Sequence, residues 1–344
     1  MSYLWLLPLL LLLSFTLTAA LRKYALSRSI IDIPNARSSH SAPTPRGGGV
    51  AIVISFFLIF PILSIEGIVP LADLMAIGGS GIFIAIIGFM DDHGHIAARW
   101  RLLGHGVSAA WALFWINGLP PLSFFGVNID FGWFGTICAA FYLVWMLNLY
   151  NFMDGIDGIA SVEAVSSCLC MCILYWWSGH EYLIILPACL IMSVAGFLLW
   201  NFPPAKIFMG DAGSGFLGIA LGVLSLQAAW ISTQLFWAWI ILFGIFIVDA
   251  TFTLVRRVIR KDKIYEAHRS HGYQFAARLY GKHYPVTVAV GLINIFWLFP
   301  VAISVVLFNF DGLTGVLLAY LPLILLAVIF NSGAVEASDG QAEK

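Results

Sequence analysis

The stretch GWFGTICAAFYLVWMLNLYNFMDGIDG, residues 132–158, combines the two features that decide the fold of this chain. Its first part is an apolar run close to the ~20 residues that a helix needs to cross a bilayer. Its last part is polar, and Asp154 and Asp157 stand beside glycines that permit a turn. The stretch therefore predicts a membrane-spanning helix with chemically competent residues at one end.

The composition extends this interpretation to the whole chain. Of 344 residues, 61% are hydrophobic and only 10% are charged, whereas a soluble domain carries about 25% charged residues. We predict an all-α polytopic bundle of about eleven spans in a single domain, 1–344, with 332–344 as a flexible tail. The predicted spans are roughly 3–20, 47–65, 71–90, 102–118, 132–149, 159–178, 182–200, 213–231, 235–254, 285–307 and 313–331.

The basic residues predict how the chain is oriented. All 17 Lys and Arg residues fall in the alternate loops 21–46, 91–101, 202–212 and 255–284 or in the tail. Basic loops stay in the cytoplasm, so we expect a periplasmic N-terminus and a cytoplasmic C-terminus. Arg22 and Lys23 follow the first span rather than precede it, which favours a retained helix over a signal peptide.

Cysteine placement and charge placement exclude two classes of function. The five cysteines lie within predicted spans without a CxxC pair and are interpreted as packing residues rather than disulfide or metal sites. The basic residues lie next to the membrane, where topology and anionic lipid already account for them. No nucleic-acid partner is expected.

Polar side chains gather in five clusters in the predicted cytoplasmic loops. The first contains Arg37, His40 and Arg46 in a Pro- and Gly-rich segment that leads into a span. Glycines at a helix start let backbone N–H groups approach an anion. A basic loop that only obeys the topology rule is the alternative. The second is Asp91-Asp92, which indicates either a functional carboxylate pair or helix-end acids neutralised by nearby arginines.

The third cluster is the end of the opening stretch, where Asn148 and Asn151, like Asp154 and Asp157, are three residues apart and share a face if the segment is helical. In the fourth, which also contains Asn201 and Phe208, Asp211 stands among glycines before a span.

A helix cap is the alternative interpretation of Asp211. The fifth cluster is basic and contains Arg269 and His271. A structural zinc site is excluded there, because no cytoplasmic cysteine completes the ligand set.

Together these residue types indicate one class of chemistry. Carboxylates and amide oxygens without thiolates suit Mg²⁺, with Mn²⁺ as an alternative ion. Arginines and glycine-rich backbone suit phosphates. A site at the membrane boundary suits one lipid substrate and one soluble substrate. The residues therefore predict Mg²⁺-dependent transfer of a phosphorylated group to or from a lipid.

Four ordered motifs, RSSH…TPRGGG, GFMDDH, NLYNFMDGIDG and NFPPAKIFMGDAGS, resemble the polyprenyl-phosphate N-acetylhexosamine-1-phosphate transferases over about residues 30–280. The O-antigen-initiating branch is the most similar. The resemblance implies a multi-pass enzyme of the bacterial inner membrane with a cytoplasmic active site. Its partners would be undecaprenyl phosphate and a UDP-N-acetyl sugar, with UMP released. The oligomeric state stays open, with a homodimer as one alternative.

The resemblance also implies roles for individual residues. Asp211 matches the family's Mg²⁺-binding aspartate, and Asp91 and Asp92 match its aspartate pair. The first of the pair is expected to activate the lipid phosphate, and the second to lie near metal and diphosphate. The other matches are Asn148 beside the metal, Asn151, Asp154 and Asp157 at the nucleotide, Asn201 and Phe208 near the uracil, and Arg37, His40, Arg46, Arg269 and His271 among the substrate-binding positions.

The fifth loop departs from the family pattern. Many members carry consecutive histidines there, and this chain has Tyr273 and Gln274 after His271. The donor therefore stays open among UDP-N-acetylglucosamine, UDP-N-acetylfucosamine and UDP-N-acetylquinovosamine. A single displacement by the lipid phosphate and a two-step route through an aspartyl intermediate also stay open.

Two rival functions predict sequence patterns that differ from those found here. A cation-coupled transporter predicts ionisable groups near span midpoints and inverted repeats. We expect the acids at span ends, with Asp249 as the exception, and find no repeat. A CDP-alcohol phosphotransferase predicts Ala-Arg after Asp-Gly, where this chain has Ile156-Asp157.

Overall fold

The computed structural model describes residues 5–34, 40, 42–94, 96–262 and 269–335. The helices are α1 (Leu6–Ser27), α2 (Val50–Leu58), α3 (Phe60–Ile65), α4 (Leu71–His93), α5 (Ala98–Ile116), α6 (Gly132–Met153), α7 (Ile159–Trp177), α8 (Ile185–Asn201), α9 (Asp211–Ile231), α10 (Thr233–Leu242), α11 (Gly244–Ile259), α12 (Gly272–Tyr280), α13 (Tyr284–Ile293), α14 (Phe299–Leu307) and α15 (Gly312–Ile329). Two short antiparallel pairs join β1 (Ile31–Asp32) to β2 (Thr44–Pro45) and β3 (Leu122–Phe124) to β4 (Val127–Ile129). The predicted all-α class is confirmed.

The core is built around α9. Its sequence is apolar or small on every face, which is the pattern of a helix surrounded by others. Residues from Ala212 to Ala229 are all buried. Helices α4 and α6 pack along its two sides, and α10 continues from its far end. The residues that precede α9 are therefore held at a fixed place by the most buried helix of the bundle.

The predicted spans all fall on helices of the described residues. In the described part of the chain, eight helical segments are long and apolar enough to cross a membrane, and a ninth span results if α10 and α11 are taken together. Helix α5 and the short segment Val50–Ile65 do not pass that test. The protein is a multi-pass membrane protein, and the number eleven and the orientation stay predictions.

The span predicted at 235–254 is broken. Helices α10 and α11 meet at 65°, with the break at Phe243, whose ring stacks on Trp239. Beyond the break, Gly244 is pressed against Tyr320 and Leu323 of α15. Hydropathy does not reveal this bend, because apolar residues continue through it.

One acid lies inside the bundle and was not expected there. Glu163 of α7 is fully buried, and the Asn294 side chain donates to its Oε2 at 2.8 Å. Asn294 also donates to Ser166 Oγ at 2.8 Å and begins a π-helical turn, Asn294–Leu298. The expectation that Asp249 is the exceptional acid was therefore incomplete. Hydrogen bonds that join α7 to a neighbouring span account for Glu163 as interhelical contact.

The chain after α15 folds back on the bundle. Ser332 is fully buried, and its carbonyl accepts from Arg256 Nη1 at 3.1 Å. The Gly333 N–H donates to the Ser270 carbonyl at 2.6 Å, and Arg260 donates to the Gly333 carbonyl. The tail predicted from residue 332 thus begins with fixed residues, and 336–344 lie outside the described part of the chain.

Candidate active site

The first and fourth polar clusters lie side by side because their backbones pair. The Phe208 N–H donates to the Pro45 carbonyl at 2.8 Å, and the Gly48 N–H donates to the Phe208 carbonyl at 2.9 Å. The Gly49 N–H continues the pairing to the Met209 carbonyl at 2.8 Å. This pairing places Arg46 next to the residues that start α9.

Two arginines link three carboxylates. Arg46 bonds Asp92 Oδ1 through Nε at 2.9 Å and Asp211 Oδ1 through Nη2 at 2.5 Å. Arg101 Nη1 lies 2.5 Å from Asp91 Oδ2 and 3.4 Å from Asp211 Oδ2. Asp211 therefore stands between two guanidinium groups, each shared with one member of the aspartate pair. The structure brings these three predicted catalytic residues together.

Asp92, rather than Asp211, caps α9. Its Oδ1 accepts the Asp211 N–H at 3.0 Å, and its Oδ2 accepts the Ala212 N–H at 3.4 Å. An anion at a helix N-terminus is stabilised by the free amides and the helix dipole. The Asp211 carboxylate does not cap the helix and contacts Arg46 and Arg101 instead. The helix cap considered for Asp211 is therefore formed by Asp92.

Glycines make this close contact between helices feasible. A Cβ at Gly88 of α4 would lie 2.4 Å from the Ala212 nitrogen, and one at Gly210 would lie 2.5 Å from Asp92 Oδ2. Gly210 also has φ of +79°, a conformation that side chains disfavour. Larger residues at either position would separate α4 from the start of α9.

A cavity of about 480 Å³ opens beside the linked carboxylates. Eight of the predicted site residues line it: His40, Arg46, Asn151, Asp154, Asp157, Asn201, Phe208 and Asp211. The rings of His40 and Phe208 meet edge to face with centroids 4.8 Å apart. Arg37 lies outside the described residues. The volume suits a substrate of small-molecule size.

Asn201 and Asp157 hold the cavity wall through their own hydrogen bonds. Asn201 is 3% exposed. Its Oδ1 accepts the Gly158 N–H at 3.0 Å, and its Nδ2 donates to the Ile207 carbonyl at 3.0 Å. Asp157 accepts the Ala205 N–H at 3.0 Å and lies 3.0 Å from His283 Nδ1. These residues fix the loop after α6 against the loop after α8.

A second, much smaller cavity lies on the other side of Asp211. Its volume is about 20 Å³, enough for one water or one ion. Asp91, Arg101, His105, Asn148, Asn151 and Asp211 are among its lining residues. Asn148 Nδ2 donates to the Val144 carbonyl of its own helix at 2.6 Å. Of the three predicted metal ligands, Asn148 and Asp211 line this cavity, and Asp92 faces the α9 amides and Arg46.

The electrostatics reflect a surplus of acid. Burial raises the pKa of Asp154 well above its usual range, and the carboxylates of Asp211 and Asp92 add to the rise, while Arg46 opposes it. Burial lowers the pKa of Arg46, but Asp211 and Asp92 outweigh it and the pKa is raised. Arg46 is therefore a permanent cation. A further positive charge near Asp154 would stabilise the ionised form of its carboxyl group.

The donor set is compatible with Mg²⁺. With Asp154 ionised, the four carboxylates of Asp91, Asp92, Asp154 and Asp211 exceed the two guanidiniums of Arg46 and Arg101 by two charges. Within the described residues, no three Asp, Glu, His or Cys side chains converge as a ligand cage. Mg²⁺ is commonly held by one or two carboxylates together with substrate phosphates and water, so residues at the small cavity fit such an ion.

The fifth cluster lies at the start of α12. His271 is 3% exposed and caps α12, and neither Arg269 nor His271 lines the large cavity. Asp249 accepts the Gly272 N–H at 2.9 Å and the Tyr273 N–H at 3.0 Å. The Asp249 carboxylate thus anchors the start of α12, which the sequence left unexplained.

Several lining residues were missed by the sequence interpretation. Asp32, Ser214, Gln274 and His283 line the large cavity, and His105 lines the small one. Tyr273 donates to the Phe152 carbonyl at 2.9 Å, which sets α12 over the turn after α6. Gln274 was noted only as a departure from a family pattern. For His283 and His105 the sequence carried no signal, because single histidines beside a membrane have no characteristic spacing.

Comparison with known proteins is consistent with this arrangement. Residues 74–229 match the family model described as Glycosyl transferase family 4. A Bacillus subtilis (strain 168) protein, "Probable undecaprenyl-phosphate N-acetylglucosaminyl 1-phosphate transferase", is 30% identical over 262 residues, 74% of this chain and 72% of the relative. A Thermotoga maritima protein, "Undecaprenyl-phosphate alpha-N-acetylglucosaminyl 1-phosphate transferase", is 27% identical over 279 residues, covering 79% of this chain and 81% of the relative.

A Streptococcus thermophilus "Phospho-N-acetylmuramoyl-pentapeptide-transferase" is 32% identical over 201 residues, 54% of this chain and 59% of the relative. The family match begins in α4 and ends in α9, and so contains Asp91, Asp92, Asp154 and Asp211. Site geometry and similarity agree, and the chain is a member of glycosyl transferase family 4.

Proposed function

We propose that this protein transfers an N-acetylhexosamine 1-phosphate group from a UDP-sugar to undecaprenyl phosphate and releases UMP. The product is an undecaprenyl-diphosphate-linked sugar that initiates O-antigen assembly for lipopolysaccharide. The names of the relatives support the lipid acceptor and the sugar-phosphate group. The resemblance of the ordered motifs supports the UDP donor, the O-antigen branch and a cytoplasmic site at the bacterial inner membrane.

One observation carries the proposal. Asp211 is held between Arg46 and Arg101 beside a polar cavity, where α4, α6 and α8 end and α9 begins. Positioned cations next to carboxylates are the equipment of phosphoryl transfer, in which alignment and charge neutralisation supply most of the catalysis. The location at the ends of membrane spans gives a lipid phosphate and a soluble nucleotide access to the same point.

The chain's own residues account for binding. A donor diphosphate near Asp211 offers Arg46 and Arg101 new phosphate partners, and bidentate contact with phosphate is a strength of the guanidinium group. The nucleotide extends into the large cavity past Asn151 and Asp154 towards His40 and Phe208, whose rings suit contact with a base. Asp157 and Asn201 hold the loop after α6 against the loop after α8.

The chemical step is a displacement at the sugar-linked phosphorus. An oxygen of the lipid phosphate forms the new P–O bond, and the bond between that phosphorus and the UMP oxygen breaks. Asp91, paired with Arg101, orients the incoming phosphate. Mg²⁺ held by Asp211 with Asn148 would neutralise charge on the diphosphate. We favour this single displacement over an aspartyl intermediate because a phosphate monoester is largely ionised near pH 7 and can itself act as the nucleophile.

The experiment uses purified protein, undecaprenyl phosphate, Mg²⁺ and a panel of the three UDP-N-acetyl sugars, with UMP release as the readout. We expect UMP from one donor only, dependent on lipid and on Mg²⁺, and none from Asp211→Asn. Asp130→Asn, at the opposite end of the bundle, is the matched control and should retain activity. Folded protein that forms no UMP with any donor would contradict the proposal.

The biological role has a separate test. Deleting the gene in its host should remove O-antigen from lipopolysaccharide, and the wild-type gene should restore it where Asp211→Asn does not. Unchanged lipopolysaccharide after deletion would contradict the O-antigen assignment without affecting the reaction assigned above.

A further inference from the structure

A cavity of about 310 Å³ lies at the end of the bundle opposite the candidate active site. It is formed where α4 and α8 begin and where α5 and α9 end. Its size is within the range of about 300–1,000 Å³ that is typical of small-molecule sites. Nothing in the proposed transferase reaction uses this end of the protein.

The walls combine one charge with aromatic rings. Asp73 is the one charged side chain among the lining residues that the structure describes. Trp115, Tyr182 and Trp230 also line the cavity, and Tyr182 and Trp230 are about half exposed at its edge. A carboxylate beside aromatic faces is an arrangement that recognises an ammonium group, through an ion pair and cation–π attraction.

One buried donor in the same cavity, the indole Nε1 of Trp115, has no hydrogen-bond acceptor among the described residues. A buried amide, Gln227, is 9% exposed and its side chain is next to the Asp73 carboxylate. A buried donor without a partner is costly, so a ligand that supplies an oxygen acceptor would be stabilised here.

Most of the remaining lining residues are apolar. Ile68, Leu183, Ile185 and Leu186 line the cavity beside the aromatic rings. Trp and Tyr gather where membrane proteins meet lipid headgroups. All 17 Lys and Arg residues of the chain fall in the loops assigned to the other face or in the tail. An anionic lipid headgroup would therefore meet the Asp73 carboxylate here and no basic side chain, which disfavours its binding.

We propose that this outward cavity binds the headgroup of a zwitterionic aminophospholipid such as phosphatidylethanolamine. Its ammonium group pairs with Asp73 among the aromatic rings, and its phosphate oxygens accept from Trp115 Nε1. The acyl chains leave along the apolar wall. This site is independent of the transferase reaction and does not require it.

The experiment measures lipid retention by the delipidated full-length protein with native mass spectrometry. Phosphatidylethanolamine, phosphatidylcholine and phosphatidylglycerol are titrated separately. We expect one phosphatidylethanolamine to bind about 10- to 100-fold more tightly than phosphatidylglycerol, the scale of a charged hydrogen-bonded contact. Phosphatidylcholine, whose ammonium has no N–H to donate, should bind between the two.

Two variants test the residues. Asp73→Asn should abolish the preference for phosphatidylethanolamine, and Asp130→Asn, a carboxylate at the same end whose partner is the Gly132 N–H, should keep it. Equal retention of all three lipids by the wild type would overturn the proposal, as would an unchanged preference in Asp73→Asn. Thermal unfolding of each variant confirms that it is folded, so the result does not depend on activity.

Soluble O-phosphoethanolamine distinguishes a lipid from a free amine. If the lipid is the ligand, the soluble compound should compete only at concentrations far above those of phosphatidylethanolamine, because it lacks the contact along the apolar wall. Competition at equal concentration would overturn the lipid assignment and identify a soluble amine site.

Discussion

The carboxylates at the two ends of the bundle have different partners. At the candidate active site, Asp91, Asp92 and Asp211 are linked by Arg46 and Arg101. At the other end, Asp73 lines a cavity whose described lining residues include no Lys or Arg. The ion pairs between the arginines and aspartates fix the geometry of a site that is proposed to bind phosphates. A carboxylate without a guanidinium partner can instead pair with a cationic group of a ligand. The difference teaches that acid content alone does not mark a catalytic site.

The largest effect is expected from Asp211→Asn, which removes the carboxylate shared by both arginines. We expect UMP release to fall by about three orders of magnitude, since charge placement at the reacting phosphate supplies most of the catalysis. Steady-state UMP release measures this change. Because Asp92 caps α9 independently of the Asp211 side chain, thermal stability should change little, and an active Asp211→Asn enzyme would contradict the comparison.

Arg46→Lys tests whether the link or only the charge matters. Lysine keeps the positive charge and cannot bond Asp92 and Asp211 through two nitrogens in one plane. We expect kcat/KM to fall by about 100-fold, roughly the 2–3 kcal/mol of a bidentate charged contact. Arg99→Lys, whose guanidinium lies over the Trp100 ring, is the control. Full activity in Arg46→Lys would show that Arg46 contributes its positive charge and that its two-nitrogen contact is not required.

Asn201→Ala should affect stability as well as substrate binding. The change leaves the buried Gly158 N–H and Ile207 carbonyl without their partner, at a cost of about 1–3 kcal/mol. Chemical denaturation and the KM for the UDP-sugar are the measurements. We expect a lower free energy of unfolding and a raised KM with a smaller change in kcat. A raised KM at unchanged stability would instead indicate direct contact with the nucleotide.

Asp154→Asn gives a pH-dependent effect in metal-free protein. Burial raises the folded-state pKa of Asp154, so the folded state holds a proton that the unfolded state loses above its ordinary pKa of about 3.9. Stability contributed by the protonated form is therefore lost as pH rises towards the folded pKa. The melting temperature of Asp154→Asn relative to wild type should increase with pH. A difference that stays constant with pH would show that Asp154 is not protonated in the fold.

The smallest effect on turnover is expected from Asp73→Asn. In detergent with saturating substrates, UMP release should stay within about twofold of wild type, as for most substitutions away from a reacting centre. The same variant should lose its lipid preference. A large loss of turnover would mean that the two ends are coupled, which would break the comparison.

The sequence predicted the helical class, the helices that carry the apolar runs and eight of the sixteen residues that line the large cavity. It did so because long apolar runs and polar loop motifs are local features. It did not predict that Asp92 caps α9, since the contact joins residues 119 positions apart. The bend between α10 and α11, the Glu163–Asn294 contact and the lining by His283 and Gln274 likewise depend on packing between distant segments. Asp73 carries no signal in the sequence, because a single acid at the end of a span is ordinary.

The return of the chain after α15 has a consequence for biogenesis. Ser332 and Gly333 bond Arg256, Arg260 and Ser270, next to the start of the helix that carries Gln274 into the cavity. We therefore expect this cavity wall to reach its final form only after the residues that follow α15 have been synthesised. A protein fused directly after α15 is expected to disturb the wall.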